Sequence, residues 1–319
     1  MRHQKAAIDR IWRPPIDRNS LRLCFVSLTF DEAMRCLWRR VSGEVKKGWG
    51  FSMIWRLIAG AAAAWLAFAG AALASGCPDT GGALGTSRIL SIDPLERPTL
   101  GLSNYRDTLP LRDHEVVLTF DDGPIRPYTA MILDTLAAEC VKATFFVVGE
   151  MARAYPKLVQ RAYREGHTIG THTEHHAHLN RLPAAYAAKE IADGIASVQK
   201  VLGGSGSAAP FFRFPYLDDT DASEAIALKH GLSIWSTDVY ASDWLLVTPE
   251  VVAATAIRRL EKRKKGILML HDIQRRTALA LPAILSELKR RGYHIVHVVP
   301  AGRDHPQTGR TPDQSAAVN

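Results

Sequence analysis

Two adjacent carboxylates, Asp121 and Asp122, close an apolar run and open a Gly123-Pro124 turn. A structural Asp-Gly-Pro turn needs one Asp at most. A second carboxylate beside a buried strand is costly unless a cation or a positive side chain compensates it. Further on, His172-Thr173-Glu174-His175-His176 and His178 place four histidines within seven residues. Imidazole is the commonest protein ligand for zinc, and four-residue spacing would put His172 and His176 on one side of a helical turn. That arrangement leaves His175 and His178 as bystanders. Arg213 stands between Phe212 and Phe214, and an Arg on an apolar strand calls for a carboxylate partner. Asp243-Trp244 follows Asp238, and His271-Asp272 ends the apolar run Leu268-Met269-Leu270. All of these groups sit where an apolar run stops, which is where β/α barrels keep their chemistry.

The elements that position them are legible as alternating patterns. Glu115–Phe120, Ala143–Val148, Thr168–Thr171, Phe211–Phe214, Leu232–Ser236, Gly266–Leu270 and His294–Val298 read as strands. Thr129–Glu139, Ala184–Val201, Pro249–Lys262 and Ala278–Arg291 have helical spacing. Pro249 suits a first helical turn, and Gly292 sits where a C-terminal cap belongs. Strands alternating with helices pair in parallel and give an α/β fold. About seven such repeats, without a glycine-rich dinucleotide fingerprint, favour a barrel over a doubly wound sheet. Gly203-Gly204-Ser205-Gly206-Ser207 precedes a strand and so is a flexible loop, not a phosphate cradle.

The net charge of +8 does not imply a nucleic-acid partner, because of where it falls. Of 40 Lys+Arg and 32 Asp+Glu, residues 1–56 hold 12 and 5, which leaves 28 and 27 in 75–319. The bulk of the chain is nearly neutral and has no implied phosphate-binding face. Residues 57–74 carry no charge and end on Ala72-Leu73-Ala74, the small-x-small form of a signal-peptidase site. This segment reads as a signal peptide or, if uncleaved, a membrane anchor and the only membrane contact. The basic stretch 1–56 is an extension that a start at Met53 or Met34 would remove or shorten. Ala74-Ser75-Gly76-Cys77 is a weak lipobox-like alternative. In each case 75–319 is exported, to the periplasm or beyond. Residues 75–113 read as an irregular arm, 114–301 as one catalytic domain and 302–319 as a disordered tail. Cys77 and Cys140, the two cysteines of the exported part, read as a disulfide pinning the arm.

From Val116 to Val299 the chain resembles the polysaccharide deacetylase family, carbohydrate esterases related to nodulation-factor deacetylase. Thr119–Pro124, His172–His176, Arg213-Phe214-Pro215-Tyr216, Asp243-Trp244 and Leu268–His271 match its five motifs in order. The resemblance implies a distorted (β/α) barrel, and a role for each residue. Asp122, His172 and His176 would bind one divalent metal, most often zinc. Asp121 would be the base, oriented by Arg213, and His271 the acid, oriented by Asp243. The Tyr216 N–H would bind the oxyanion, while Trp244, Leu268 and Leu270 would line an acetyl pocket. The substrate would be an N-acetylated polysaccharide or oligosaccharide. Three departures stand out: Ala177 replaces a usual Pro, Leu217 replaces a common Gly, and the loop 238–243 is long, so that Asp238 competes with Asp243 for His271. A deformylase or amidase acting on a lipid-linked or other non-polymeric substrate would use the same residues. An aspartyl-phosphate hydrolase would need Asp-x-Asp, where this chain has Gly123. An inactive carbohydrate-binding protein would have no use for the intact acid, base and ligands.

Overall fold

A computed structural model describes residues 82–302. The extension 1–56, the apolar segment 57–74, Cys77 and residues 303–319 of the tail lie outside the described residues. Among the described residues, no helix is long and apolar enough to cross a membrane. The strands are β1 (Thr86–Ile92), β2 (Thr99–Leu100), β3 (Glu115–Asp121), β4 (Thr144–Val147) and β5 (Thr168–Thr171). They continue with β6 (Phe211–Phe212), β7 (Ser233–Trp235), β8 (Val239–Tyr240), β9 (Gly266–His271) and β10 (His294–Pro300). Between them lie α1 (Tyr128–Ala138), α2 (Gly149–Ala154), α3 (Pro156–Arg164) and α4 (Ala184–Leu202), then α5 (Asp221–Lys229), α6 (Pro249–Arg263) and α7 (Arg275–Arg290).

Every pairing is parallel. β3 to β7 follow one another in chain order, while the other edge of β3 takes β9, which in turn pairs with β8. β10 joins β3 through Glu115 and Val116 only. The distorted barrel expected from the sequence is borne out, with each of the seven expected strands in place. Pro249 opens α6 at its first turn, and Gly292 follows α7 at φ 71°, a left-handed value that glycine adopts without steric cost.

Strand parity decides which side chains reach the interior. Val116, Leu118 and Phe120 pack outward among Leu133 and Leu136 of α1 and Leu281 and Ile284 of α7. Val117 packs inward with Phe146, Phe211, Trp235 and Ile267. Burying a side chain of this size contributes roughly 1.5–3 kcal/mol. Alternation then sends Thr119 and Asp121 inward with Val117.

The arm is less irregular than its composition suggests. β1 adds to β10 and β2 to β7, and Ile92, Leu100, Leu109 and Leu111 join the inner cluster. β1 alternates half-buried and exposed side chains, as an edge strand with one wet face does. Asp238 clips the arm to the barrel at the N-terminal end of β9. It accepts hydrogen bonds from Leu102 N (2.9 Å), Thr108 Oγ1 (2.7 Å) and Ile267 N (2.9 Å).

Candidate active site

β3 presents Asp121 and Asp122 at its C-terminal end. Arg213, fully buried, donates from Nη1 to Asp121 Oδ1 at 2.6 Å and to Thr119 Oγ1 at 2.8 Å. Its Nη2 donates to the Ser236 carbonyl at 2.8 Å, and the guanidinium lies 4.3 Å from the Phe146 ring centroid. Burial lowers the Arg213 pKa, and the charge of Asp121 works against that. The fork thus fixes one oxygen of Asp121.

Asp122 sits at φ 77° in the turn that follows. A Cβ on Gly123 would lie 2.0 Å from Asp272 Oδ2, so only glycine lets this turn close on that carboxyl group. Asp122 Oδ1 is buried and has no hydrogen-bond partner. It nevertheless stands 3.3 Å from His172 Nε2 and 3.0 Å from His176 Nε2. Burial alone would raise the Asp122 pKa, but the two imidazoles hold it well below the usual carboxylate range. One ligand atom from each of the three residues lies within 4.8 Å of the others. Donor atoms sharing an ion at about 2.0–2.2 Å need this kind of spacing, so the set fits a small divalent cation. His172 Nδ1 lies 2.6 Å from the Arg213 carbonyl, which can only accept; Nδ1 therefore donates, and Nε2 is the nitrogen turned to Asp122.

His172 and His176 do not share a helical turn, contrary to the expectation from their spacing. Thr173 and His176 have φ 64° and 54°, and Thr173 Oγ1 accepts from His176 N at 3.0 Å. This side-chain bond closes a loop where a helix would need right-handed φ throughout. The two rings still meet, at 4.9 Å between centroids. His175 pairs with Glu190 on the surface, and His178 stacks on Tyr216 at 3.7 Å.

His271 ends β9 in register with Asp121 on the neighbouring strand. Its Nδ1 lies 2.8 Å from Asp243 Oδ1, and Asp243 Oδ2 accepts from His271 N (2.7 Å) and Thr277 Oγ1 (2.5 Å). Asp243, not Asp238, is therefore the partner of His271. Burial pushes the His271 pKa down, but the bond and charge of Asp243, with the charges of Asp122 and Asp121, raise it to about 9. Trp244, 44% exposed, meets the His271 ring edge-on at 5.7 Å. Tyr216 is 57% exposed and packs against His176 at 4.6 Å.

Leu268 and Leu270 do not line a pocket. Both lie in the outer cluster with the helices, because they have the opposite parity to His271. Met269 shares the parity of His271 and is in register with Thr119. The sequence gives Asp272 no role beyond its place beside His271, and Thr277 none at all. Buried Asp272 accepts from Thr129 Oγ1 at 2.6 Å and donates from its N–H to the Asp121 carbonyl at 3.2 Å. Burial and the charge of Asp122 raise its pKa to about 7. A carboxylate next to His271 in sequence was the available signal.

Parallel strands ringed by helices, with the polar cluster at their C-terminal ends, define a (β/α)-barrel protein whose chemistry sits on one rim. The polysaccharide deacetylase family model matches residues 109–235. A peptidoglycan-N-acetylglucosamine deacetylase of Bacillus cereus is 30% identical over 195 residues, covering 60% of this chain and 89% of the relative. The chain belongs to the polysaccharide deacetylase family. The peptidoglycan-N-acetylglucosamine deacetylase PgdA of Listeria monocytogenes is 34% identical over 189 residues, which is 57% of this chain; the chain spans 38% of that relative. A peptidoglycan deacetylase of Bdellovibrio bacteriovorus superposes with a TM-score of 0.61 at 31% identity, covering 69% of this chain and 61% of the other.

Proposed function

We propose that this chain is a metal-dependent hydrolase that removes N-acetyl groups from the amino sugars of an exported glycan such as peptidoglycan. The observation that carries this reading is the convergence of three units on one rim: the Asp122-His172-His176 donors, the Arg213–Asp121 pair and the Asp243–His271 pair. The names of the relatives supply the substrate class. A divalent ion held by Asp122, His172 and His176, with zinc the best match to two imidazoles and a carboxylate, would polarise the acyl oxygen and lower the pKa of a water towards about 7.

The remaining steps belong to the protein. Asp121, held in place by Arg213, takes the proton from the attacking water. Tyr216 offers its backbone N–H to the developing oxyanion. His271, protonated at neutral pH, delivers a proton from Nε2 to the leaving amine while Asp243 holds Nδ1. Trp244 walls the acyl side. The breaking C–N bond leaves acetate and a free amine.

On this reading 114–301 is the catalytic domain and works outside the cytoplasm, in keeping with the apolar segment 57–74. A Cys77–Cys140 disulfide would tie the arm to it, and a mass shift of the intact protein on reduction tests that bond. The function itself is tested on purified protein, stripped with chelator and reloaded with zinc. The assay measures acetate and formate released from peptidoglycan, chitin oligomers and an N-acetylated exopolysaccharide. Metal-restored acetate release is the expected result. Equal release with and without metal would overturn the proposal, and formate release would redirect it to a deformylase.

A further inference from the structure

The loop that carries Tyr216 is built in an unfavourable conformation. Tyr216 and Leu217 follow one another at φ 61° and 53°. Left-handed backbone is costly for residues with a Cβ, and such pairs persist only where the surroundings impose them. The local bonds are modest: Leu217 N donates to the Phe214 carbonyl at 3.0 Å and Asp218 N to the Pro215 carbonyl at 3.1 Å. The other brace comes from the arm. Asn104 Nδ2 donates to the Leu217 carbonyl at 2.8 Å and to Asp219 Oδ1 at 3.0 Å. Both partners can only accept, which fixes the orientation of the amide. Its Oδ1 accepts from Ser236 Oγ at 2.7 Å. The Ser236 carbonyl, in turn, receives Arg213 Nη2. Next to it, Tyr105 Oη donates to Asp219.

The arm reaches this place because Gly101 has φ 106° and lies so close to the barrel that a Cβ there would sit 2.6 Å from the Ser236 carbonyl carbon. Ser103 N then donates to the Thr237 carbonyl at 2.9 Å. One side chain from outside the residues matched by the family model thus ties the Tyr216 loop to the backbone that holds Arg213.

We infer that Asn104 is a positioning residue: through the Leu217 carbonyl it holds the left-handed Tyr216-Leu217 turn and aims the Tyr216 N–H. The inference rests on the oxyanion role given to that N–H above. Loss of the brace then affects the transition state more than substrate binding, so kcat falls while KM stays. Leu217 is the residue of the pair whose carbonyl takes the brace, and glycine there would hold φ 53° without strain, which lessens the need for one.

The test compares wild type with Asn104→Ala, Leu217→Gly and the double variant, all metal-loaded, for acetate release, thermal midpoint and hydrogen exchange of the peptide spanning 214–219. Asn104→Ala is expected to lower kcat about tenfold, a fraction of the 10²–10³ seen when an oxyanion donor is removed outright. KM should stay within about twofold, and exchange in the loop should rise. The double variant should recover kcat to within about threefold of wild type and restore the exchange pattern. Should Asn104→Ala fail to fold, Asn104→Asp keeps the volume and the Ser236 bond while setting an acceptor against the Leu217 carbonyl, and should lower kcat at least as far. Unchanged kcat in a folded Asn104 variant, or a loss that Leu217→Gly does not relieve, would overturn the inference and leave the deacetylase reading standing. A wild type that releases no acetate would overturn that reading, and the positioning role with it.

Discussion

The two ends of the barrel treat buried aspartates differently. At the N-terminal end Asp238 accepts three hydrogen bonds, two of them from backbone N–H groups. At the C-terminal end Asp122 Oδ1 is buried with no hydrogen bond, among imidazole nitrogens 3.0 and 3.3 Å away. A carboxylate whose oxygens are spent on backbone amides fastens one segment to another. One with an oxygen free of hydrogen bonds, facing other ligating atoms, offers the donor set of a cation site. Between Asp238 and Asp122, what the carboxylate oxygens face, not burial, separates fastening from ligation.

The widest separation between the two ends should come from Asp121→Asn. Asn cannot accept the proton, while Asp122, His172 and His176 are untouched. Turnover should fall by about 10³-fold or more with one metal per chain retained; near-wild-type acetate release from the metal-loaded variant would break the proposed division. His271→Ala comes next, with a loss of about 10²-fold in kcat. Asp238→Ala should do the reverse. It frees two N–H groups and a hydroxyl, so stability should drop by about 1–3 kcal/mol in denaturant titration, with any loss of kcat per folded molecule no larger than that of Asn104→Ala, whose segment of the arm it loosens. A larger loss of kcat there would mean that the N-terminal end is not mere fastening.

Much of this contrast can be read before folding. Asp121, Asp122, Arg213, Asp243 and His271 are conspicuous because each polar group interrupts or ends an apolar run. What is hidden is what parity and tertiary contact decide. Gly266–His271 is apolar on both faces, so its composition gives no inside or outside. Only counting by twos from His271 selects Met269 over Leu268 and Leu270. The His172–His176 loop departs from a helix through two positive φ values, which the residues Thr and His do not announce. β1 was hidden because Arg88 stands on its half-buried face and the 54% exposed Ile89 on its wet one, which dilutes the apolar signal. β8 has two residues, too few for any period. Asn104 lies in an aperiodic stretch, and its partners are more than 100 residues away in sequence.

The smallest effect expected is on pH dependence, and it bears on the C-terminal end alone. His271 is raised from 6.5 to about 9, with burial opposing the shift and Asp243 supplying the largest part of it. An acid that must be protonated fails as pH rises through its pKa, so the alkaline limb of kcat should report His271. A cation beside Asp122 cancels part of that residue's attraction, which puts the limb at or below about 9. The folded state binds this proton more tightly than the unfolded chain does. The stability it contributes is therefore full below 6.5 and is lost as pH climbs through about 9. Asp243→Asn removes the charge and leaves burial to act, so the limb should move to lower pH by about one unit or more. The thermal midpoint of the variant should also fall less between pH 6 and 9 than that of the wild type. Asp238→Asn, at the other end, should leave the limb in place. A limb that shifts equally in both variants, or in neither, would show that His271 is not the group titrating there.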